Sequence, residues 1–392
     1  MNLLLATPPV PPFDPLGLPA PTWVFEFLLA LTMLLHLLFM NMTLGGAIVA
    51  TVLDVLTLVR RGNHNLTVRV IWQMLPVTFS FTITTGVAPL LFVQVLYGQF
   101  FYTANIFLGF VWFALVPLLI VAFYLTYFLV YRLSSALSNR LGRWDRSPGK
   151  RLPFSAACAL LFFTVSLILT SNHMLSIQPD QWAQGGEWVQ NRLAVTPTTT
   201  HVRLGHNDLG AVVVCGLWLA GVGWWRRWRQ VDPPEVAARI TTTGLWVALP
   251  VMAVTAVFGL TFFFMLPGEV RGGLLRPGVY PVLWWLGLLA LVGQIFHALM
   301  ALQRPQEFRW FAGLAGCAVV TLVGMVAARE AVRLGYLARG ELFSREVWHQ
   351  NVNTQLSPLI LFVAMLVITL GTVGWLLWVS ARARPAAGSR AV

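Results

Sequence analysis

Nine long apolar stretches constrain this chain more than any other feature. They lie at about residues 23–59, 67–98, 104–131, 153–177, 203–225, 239–267, 279–302, 308–334 and 356–380. A helix needs about 20 apolar residues to cross a hydrocarbon layer of about 30 Å, and each stretch has at least that length. Backbone N–H and C=O groups find no water in lipid, so the spans must be helices or a closed barrel. A barrel would show short alternating segments, and these are absent. The sequence therefore predicts an all-α polytopic membrane protein with about nine transmembrane helices. Only 10% of residues are charged, against about 25% in a soluble domain. The mean hydropathy is +0.73, and 17 tryptophans suit a chain with many interface crossings.

The net charge of +12 would suit a nucleic-acid binder only if the basic residues formed a surface of their own. They lie instead in short loops between apolar spans, so no nucleic-acid partner is expected and the lipid bilayer is. One set of loops carries 18 of the 26 Arg and Lys residues, among them Arg60, Arg61, Arg140, Arg143, Arg146, Arg151, Arg226 and Arg304. The other set carries 8, including Arg192, Arg203, Arg271, Arg329, Arg333 and Arg345. The positive-inside rule makes the richer side cytoplasmic. The expectation is a multi-pass protein of a bacterial inner membrane, N-terminus outside and C-terminus in the cytoplasm.

Residues 1–22 read as an extracytoplasmic arm, because Pro8, Pro9, Pro11, Pro12 and Pro15 preclude a helix. The arm lacks a basic start, and no cleavable signal is expected. Residues 23–177 then form a first four-helix bundle, 178–202 an extracytoplasmic loop and 203–334 a second four-helix bundle. Residues 335–355 form an extracytoplasmic segment, and 356–392 the ninth, peripheral helix and cytoplasmic tail. The fifth span echoes the first: His206 followed by Leu209-Gly210-Ala211 parallels His36 followed by Leu44-Gly45-Gly46-Ala47. Leu249-Pro250-Val251 in the sixth parallels Leu75-Pro76-Val77 in the second. Both halves start on the same side, so the repeat is parallel.

Ionisable side chains inside spans are costly and point to function. Measured from the cytoplasmic arginines, His36 lies roughly 36 Å away, His206 roughly 30 Å, His173 roughly 33 Å and Glu330 roughly 31 Å. Four ligand-capable side chains thus share the outer boundary. Facing helices of a bundle can hold a haem iron with such groups, and His36 and His206 are the leading axial ligand candidates. Glu330 reads either as a carboxylate ligand or as an interface acid paired with Arg329 or Arg333. His173 reads either as a ligand or as a helix-end histidine bonded to Asn172. His201 is a weak alternative, His297 near the opposite face reads as structural, and His64 and His349 fall in loops. Asp54 is expected to pair with Arg60-Arg61. Cys158, Cys215 and Cys317 lie in spans, and no Cys-x-x-Cys-His is present, so no covalently attached haem is encoded.

The run Ala30-Leu31-Thr32-Met33-Leu34-Leu35-His36-Leu37-Leu38-Phe39 with Thr43-Leu44-Gly45 resembles the first span of subunit I of cytochrome bd quinol oxidases. Thr85-Gly86, Asn172 and His206 fall where that family has a Thr-Gly turn, an asparagine and a haem-ligating histidine. Glu330 with Arg333 resembles its Glu-x-x-Arg, where the glutamate is a haem ligand. The resemblance implies non-covalent haem b at His36, His206 and Glu330, and a quinone or quinol as redox partner. Three features depart from the family. The connection after Pro267 is short where the family has a long quinol-binding loop. The seventh span lacks the family's methionine ligand. Ile106 to Tyr124 holds no acid, where the family has proton-delivering glutamates.

The expectation is a b-type haem subunit moving electrons between the quinone pool and an extracytoplasmic partner such as a c-type cytochrome or another redox subunit. Two alternatives stay open: a quinol oxidase subunit I that reduces oxygen, and a haem-free transporter or scaffold.

Overall fold

Leucine, valine, alanine and phenylalanine fill the apolar stretches, and each stretch is helical. The computed structural model describes residues 10–59, 62–133, 147–182, 198–339, 343 and 345–382. Helices α1 to α9 are Thr22–Leu58, Asn65–Leu108, Phe110–Leu133, Pro148–Ile177, Thr198–Trp228, Pro234–Met265, Val279–Gln303, Phe308–Leu337 and Leu356–Arg382. Among the described residues these nine are long and apolar enough to cross a membrane. Two shorter helices, Gly268–Leu275 and Arg345–Gln350, stand before α7 and α9. Arg60, Arg61, Arg140, Arg143, Arg146, Arg192 and most of the loop at 178–202 lie outside the described residues.

Several helix boundaries differ from expectation, and α4 and α6 start at Pro148 and Pro234, before the expected 153 and 239. α2 does not stop near residue 98 but runs 44 residues to Leu108. Tyr97 (φ −132°, ψ 28°) bends it without ending it. The chain turns instead at Gly109, whose φ of 53° is a conformation that glycine adopts without steric cost. Hydropathy sees Gln94, Gly98 and Gln99 as a break, whereas tertiary packing carries the helix through them. α5 likewise starts at Thr198, one turn earlier than its apolar run.

The helices pack as two sets of four with a peripheral ninth, as the sequence predicts. Met42, Ile71, Leu75, Phe79, Leu129 and Phe162 form a core among α1, α2, α3 and α4, and Ala211 and Cys215 of α5 join it. Ala220, Leu245, Ala298, Phe311 and Leu314 form a core among α5, α6, α7 and α8. Small residues let the backbones approach, which is how helices associate where lipid removes the hydrophobic drive. A Cβ built on Gly45 of α1 would collide with the Ala211 carbonyl oxygen of α5. One on Gly287 of α7 would lie 2.8 Å from the Cα of Gly324 in α8. α9 rests on α2 through Phe362, whose ring meets Phe92 edge-on at 5.2 Å, while most of its apolar surface is exposed.

The proline-rich arm is extended, and it is anchored. Leu18 N–H donates to Asn351 O (2.7 Å), and Asn353 N–H donates back to Leu18 O (2.8 Å). Phe13, Phe343, Trp348 and Tyr97 stack beneath this junction, with Phe343 and Trp348 at 4.6 Å and Trp348 and Tyr97 at 5.2 Å. The arm and the segment before α9 therefore form a cap over one end of the first bundle.

At the other end, Asp54 of α1 pairs with Arg151 of α4, a partner the sequence did not suggest; the expected partners Arg60 and Arg61 lie outside the described residues. The Arg151 Nε donates to Asp54 Oδ1 at 3.2 Å, and both side chains are fully buried. Arg151 also donates to Asn65 at the start of α2 (2.7 Å). A charge in a bundle interior needs a partner at contact distance, and here a neighbouring helix supplies it.

Candidate functional site

The site is built from two helix pairs that use one geometry. In the α1–α2 pair, His36 Nδ1 lies 3.0 Å from the carbonyl oxygen of Thr82. In the α5–α6 pair, His206 Nδ1 lies 3.0 Å from the carbonyl oxygen of Thr255. A carbonyl only accepts, so each Nδ1 carries the proton, and each neutral ring keeps its lone pair on Nε2. One turn beyond each carbonyl stands a glycine that the ring packs against. A Cβ on Gly86 would fall 2.8 Å from His36 Cε1, and one on Gly259 would fall 2.9 Å from His206 Cε1. Nε2 stands farther from those positions than Nδ1 or Cε1, at 3.6 and 3.9 Å.

Hydroxyls brace the first pair. Thr43 Oγ1 lies 3.0 Å from Thr82 Oγ1 and donates to Thr78 Oγ1 at 3.2 Å. The second pair has a carboxyl nearby: Asp208 of α5 accepts from Ser166 of α4 at 2.6 Å, and its other oxygen has no hydrogen-bond partner among the described residues.

His297 uses its ring differently. Nδ1 donates to the carbonyl of Gly293 in its own helix at 2.7 Å, and the Cδ2–Nε2 edge faces Gly313 of α8. A Cβ there would collide with Nε2, so α8 backbone covers the nitrogen that the other two rings leave free.

An arginine cluster connects the remaining residues. Glu330 of α8 is 3% exposed and accepts from Arg333 Nη1 at 2.9 Å, one turn along the same helix, and from Arg329 at 3.4 Å. Tyr97 at the bend of α2 lies over this pair, its ring 4.5 Å from the Arg333 guanidinium carbon. Its hydroxyl approaches Glu330 Oε2 at 3.5 Å. His36 lies within electrostatic reach of Arg329, and His206 within reach of Arg203. His173 is buried at the end of α4 within reach of Arg203, Arg329 and Arg333. Its Nε2 has no hydrogen-bond partner among the described residues. Asn172 bonds Asn105 of α2 (2.5 Å), not His173.

The structure thus brings His36, His173, His206 and Glu330 to one end of the bundle, joined through arginines. His201 is exposed and stands apart, His64 precedes α2, and His349 lies beside Thr22 in the cap. Sequence reasoning counted Arg203 only as a loop charge. Its signal was available, an arginine one turn before a histidine in a span. The carbonyls of Thr82 and Thr255 and the seat at Gly259 carried no local signal.

No group of three or more His, Cys, Asp or Glu side chains among the described residues could hold a bare metal ion. His36, His206 and Glu330 are therefore not the ligands of one such ion. The donor set does fit haem. Porphyrin nitrogens supply four ligands, so one side chain with a free lone pair suffices, and a hydrogen bond from its other nitrogen to a carbonyl orients it. The glycine seats let each ring pack close to the facing helix backbone. A groove of about 320 Å³ lined by Val70, Gln73, Met74, Val222, Trp225 and Arg226 lies at the opposite end of α2 and α5.

No family model matches the sequence, and no curated protein matches it. The fold is similar to that of the bd oxidase from Geobacillus thermodenitrificans, with a TM-score of 0.67 over 94% of this chain and 98% of that chain. The two are 13% identical over that alignment, so the likeness is one of fold.

Proposed function

We propose that the protein is a b-type haem subunit that transfers electrons between membrane quinone and an extracytoplasmic redox partner, such as a c-type cytochrome. One observation carries this reading. Two histidines on separate helix pairs each donate Nδ1–H to a neighbouring helix carbonyl, sit on a glycine and leave Nε2 without a hydrogen-bond partner among the described residues. A histidine that only had to satisfy itself in a bundle would use both nitrogens or bury the second one, as His297 does.

In this reading His36 and His206 each hold a haem iron through Nε2. Glu330 is a third ligand, held in place by Arg333 and Arg329. Bound haem supplies one-electron chemistry, and this chain supplies position and charge. The buried arginines favour electron entry by placing positive charge beside the site. The cap made by residues 10–21, 343 and 345–355 keeps bulk water from the Tyr97–Glu330 region. The bilayer-facing helices give a quinone lateral access.

The similarity of fold to a bd oxidase favours a second reading, an oxygen-reducing quinol oxidase subunit. Against it, α3 carries no acid from Phe110 to Leu133, and a reaction consuming protons needs a route for them. Oxygen uptake by the purified complex with a quinol donor separates the two readings.

The test is a dithionite-reduced minus oxidised spectrum of the purified protein, with pyridine haemochrome to count haem. The expected result is b-type bands. A folded, colourless protein overturns the proposal and leaves a transporter or scaffold.

A further inference from the structure

Three guanidinium groups converge on the His173–Glu330 end of the bundle, and one carboxylate serves them. Arg203 is 7% exposed and Arg333 is 2% exposed. Arg333 and Arg329 both bond Glu330. Arg203 has no carboxylate in contact among the described residues. Its polar contact is the thioether of Met174 at 3.4 Å, and its guanidinium carbon stands 5.4 Å from the ring centroid of Phe262. A thioether is a weak acceptor and a phenyl ring a weak anion substitute, so neither balances a buried charge. The carboxylate that acts on Arg203 electrostatically is Glu330, already shared by two other arginines. Next to Met174 in the chain, and within electrostatic reach of Arg203, lies His173, 9% exposed, whose Nε2 has no hydrogen-bond partner among the described residues. A buried polar atom without a partner costs about 1–3 kcal/mol, and a buried charge costs more. Two such groups within electrostatic reach of each other describe an anion site.

The position of Arg203 says which anion. It stands on α5 three residues before His206, on the exposed side of the proposed iron ligand and about one helical turn from it. Arg333 bears the same relation to Glu330 on α8, one turn nearer the same end. A haem held in the bundle would carry two carboxylates, and the buried guanidinium groups that could receive them stand at this end. We propose that Arg203, with the Nε2 edge of His173, binds a carboxylate of the haem held by His206, making Arg203 a positioning residue for that cofactor. This rests on the haem reading above.

The subsite fixes the porphyrin edge toward the His173 end and sets its potential. Reduction adds an electron to the haem, and a neighbouring guanidinium favours that form. Removing the charge therefore lowers the midpoint potential.

The test compares the wild type with Arg203→Gln and Arg203→Lys, following the band that His206→Ala removes. Arg203→Gln is expected to retain most of its haem and to shift the reduced-to-oxidised ratio about tenfold toward oxidised, about 59 mV for one electron. Arg203→Lys is expected to restore most of that shift. Wild-type apoprotein is expected to bind haem at least about tenfold more tightly than its dimethyl ester, and Arg203→Gln to lose that preference. The ester comparison needs no mutation, so it stands even if the variants fold poorly. Equal wild-type affinity for haem and its ester overturns the proposal, as does an unchanged potential in Arg203→Gln. A shift of the wild-type bands by inorganic phosphate would overturn it in favour of a free anion. Glu187, in the loop before α5, lies outside the described residues; an equal potential shift in Glu187→Gln would place the counter-charge in the polypeptide and overturn the proposal too. A colourless wild type removes the functional reading itself, and is thereby told apart from all of these.

Discussion

His36 Nδ1 stands 3.0 Å from the carbonyl oxygen of Thr82, and that single bond decides which face of the imidazole is free. The acceptor belongs to a helix backbone, so the bond survives any change of side chain at position 82. The same relationship between His206 and Thr255 puts two equivalent histidines on two helix pairs. Replacement of either histidine by alanine is expected to remove a distinct part of the reduced-minus-oxidised spectrum, and the double variant to keep only the band that depends on Glu330. Full spectra in both single variants would remove these residues from the ligand set.

The glycines test the seat without touching a ligand. Alanine at Gly86 or Gly259 puts a methyl 2.8–2.9 Å from the imidazole, closer than side chains tolerate. Haem is expected to remain bound in Gly86→Ala with a displaced band and altered potential, and to be lost in Gly86→Leu. Gly316 of α8 has open space around its Cβ position and serves as the control. If Gly86→Ala and Gly316→Ala give identical spectra, the ring is not held as described.

Glu330 distinguishes a ligand from a counter-charge. Glu330→Gln keeps the shape but strips Arg333 and Arg329 of their carboxylate. As a ligand, Glu330 is expected to show its loss as a missing or shifted band with the His36 and His206 bands intact. Lower thermal stability with an unchanged spectrum would mean that it serves the arginines alone.

Asp54 and Arg151 carry no chemistry in this reading, and their role is to tie α1 to α4. Removing one partner of a buried pair costs about 3–5 kcal/mol, because the other charge stays behind. Asp54→Leu or Arg151→Leu is therefore expected to lower the melting temperature in detergent clearly. The double variant Asp54→Leu/Arg151→Leu is expected to recover much of the loss. If the double variant melts no higher than either single one, the pair is not what holds the helices.

What the sequence determined by itself is the all-helical class and the number of spans. Length and apolarity are local quantities, and a bilayer of fixed thickness converts them directly into helices. The repeat of His36 in His206, and the shared level of His173 and Glu330, were readable for the same reason, since depth along a helix is a residue count. Tertiary structure alone decided what each polar group meets. Asp54 bonds Arg151, 97 residues along the chain, because a charge in a bundle pairs with what faces it across helices. Tyr97 does not end α2 because Trp348 and Arg333 pack on the bend. The free Nε2 of His36 depends on a carbonyl 46 residues away, and the isolation of Arg203 on which acids approach from other helices. Such facts live in the directions of side chains across helix pairs, which no periodicity along one chain encodes.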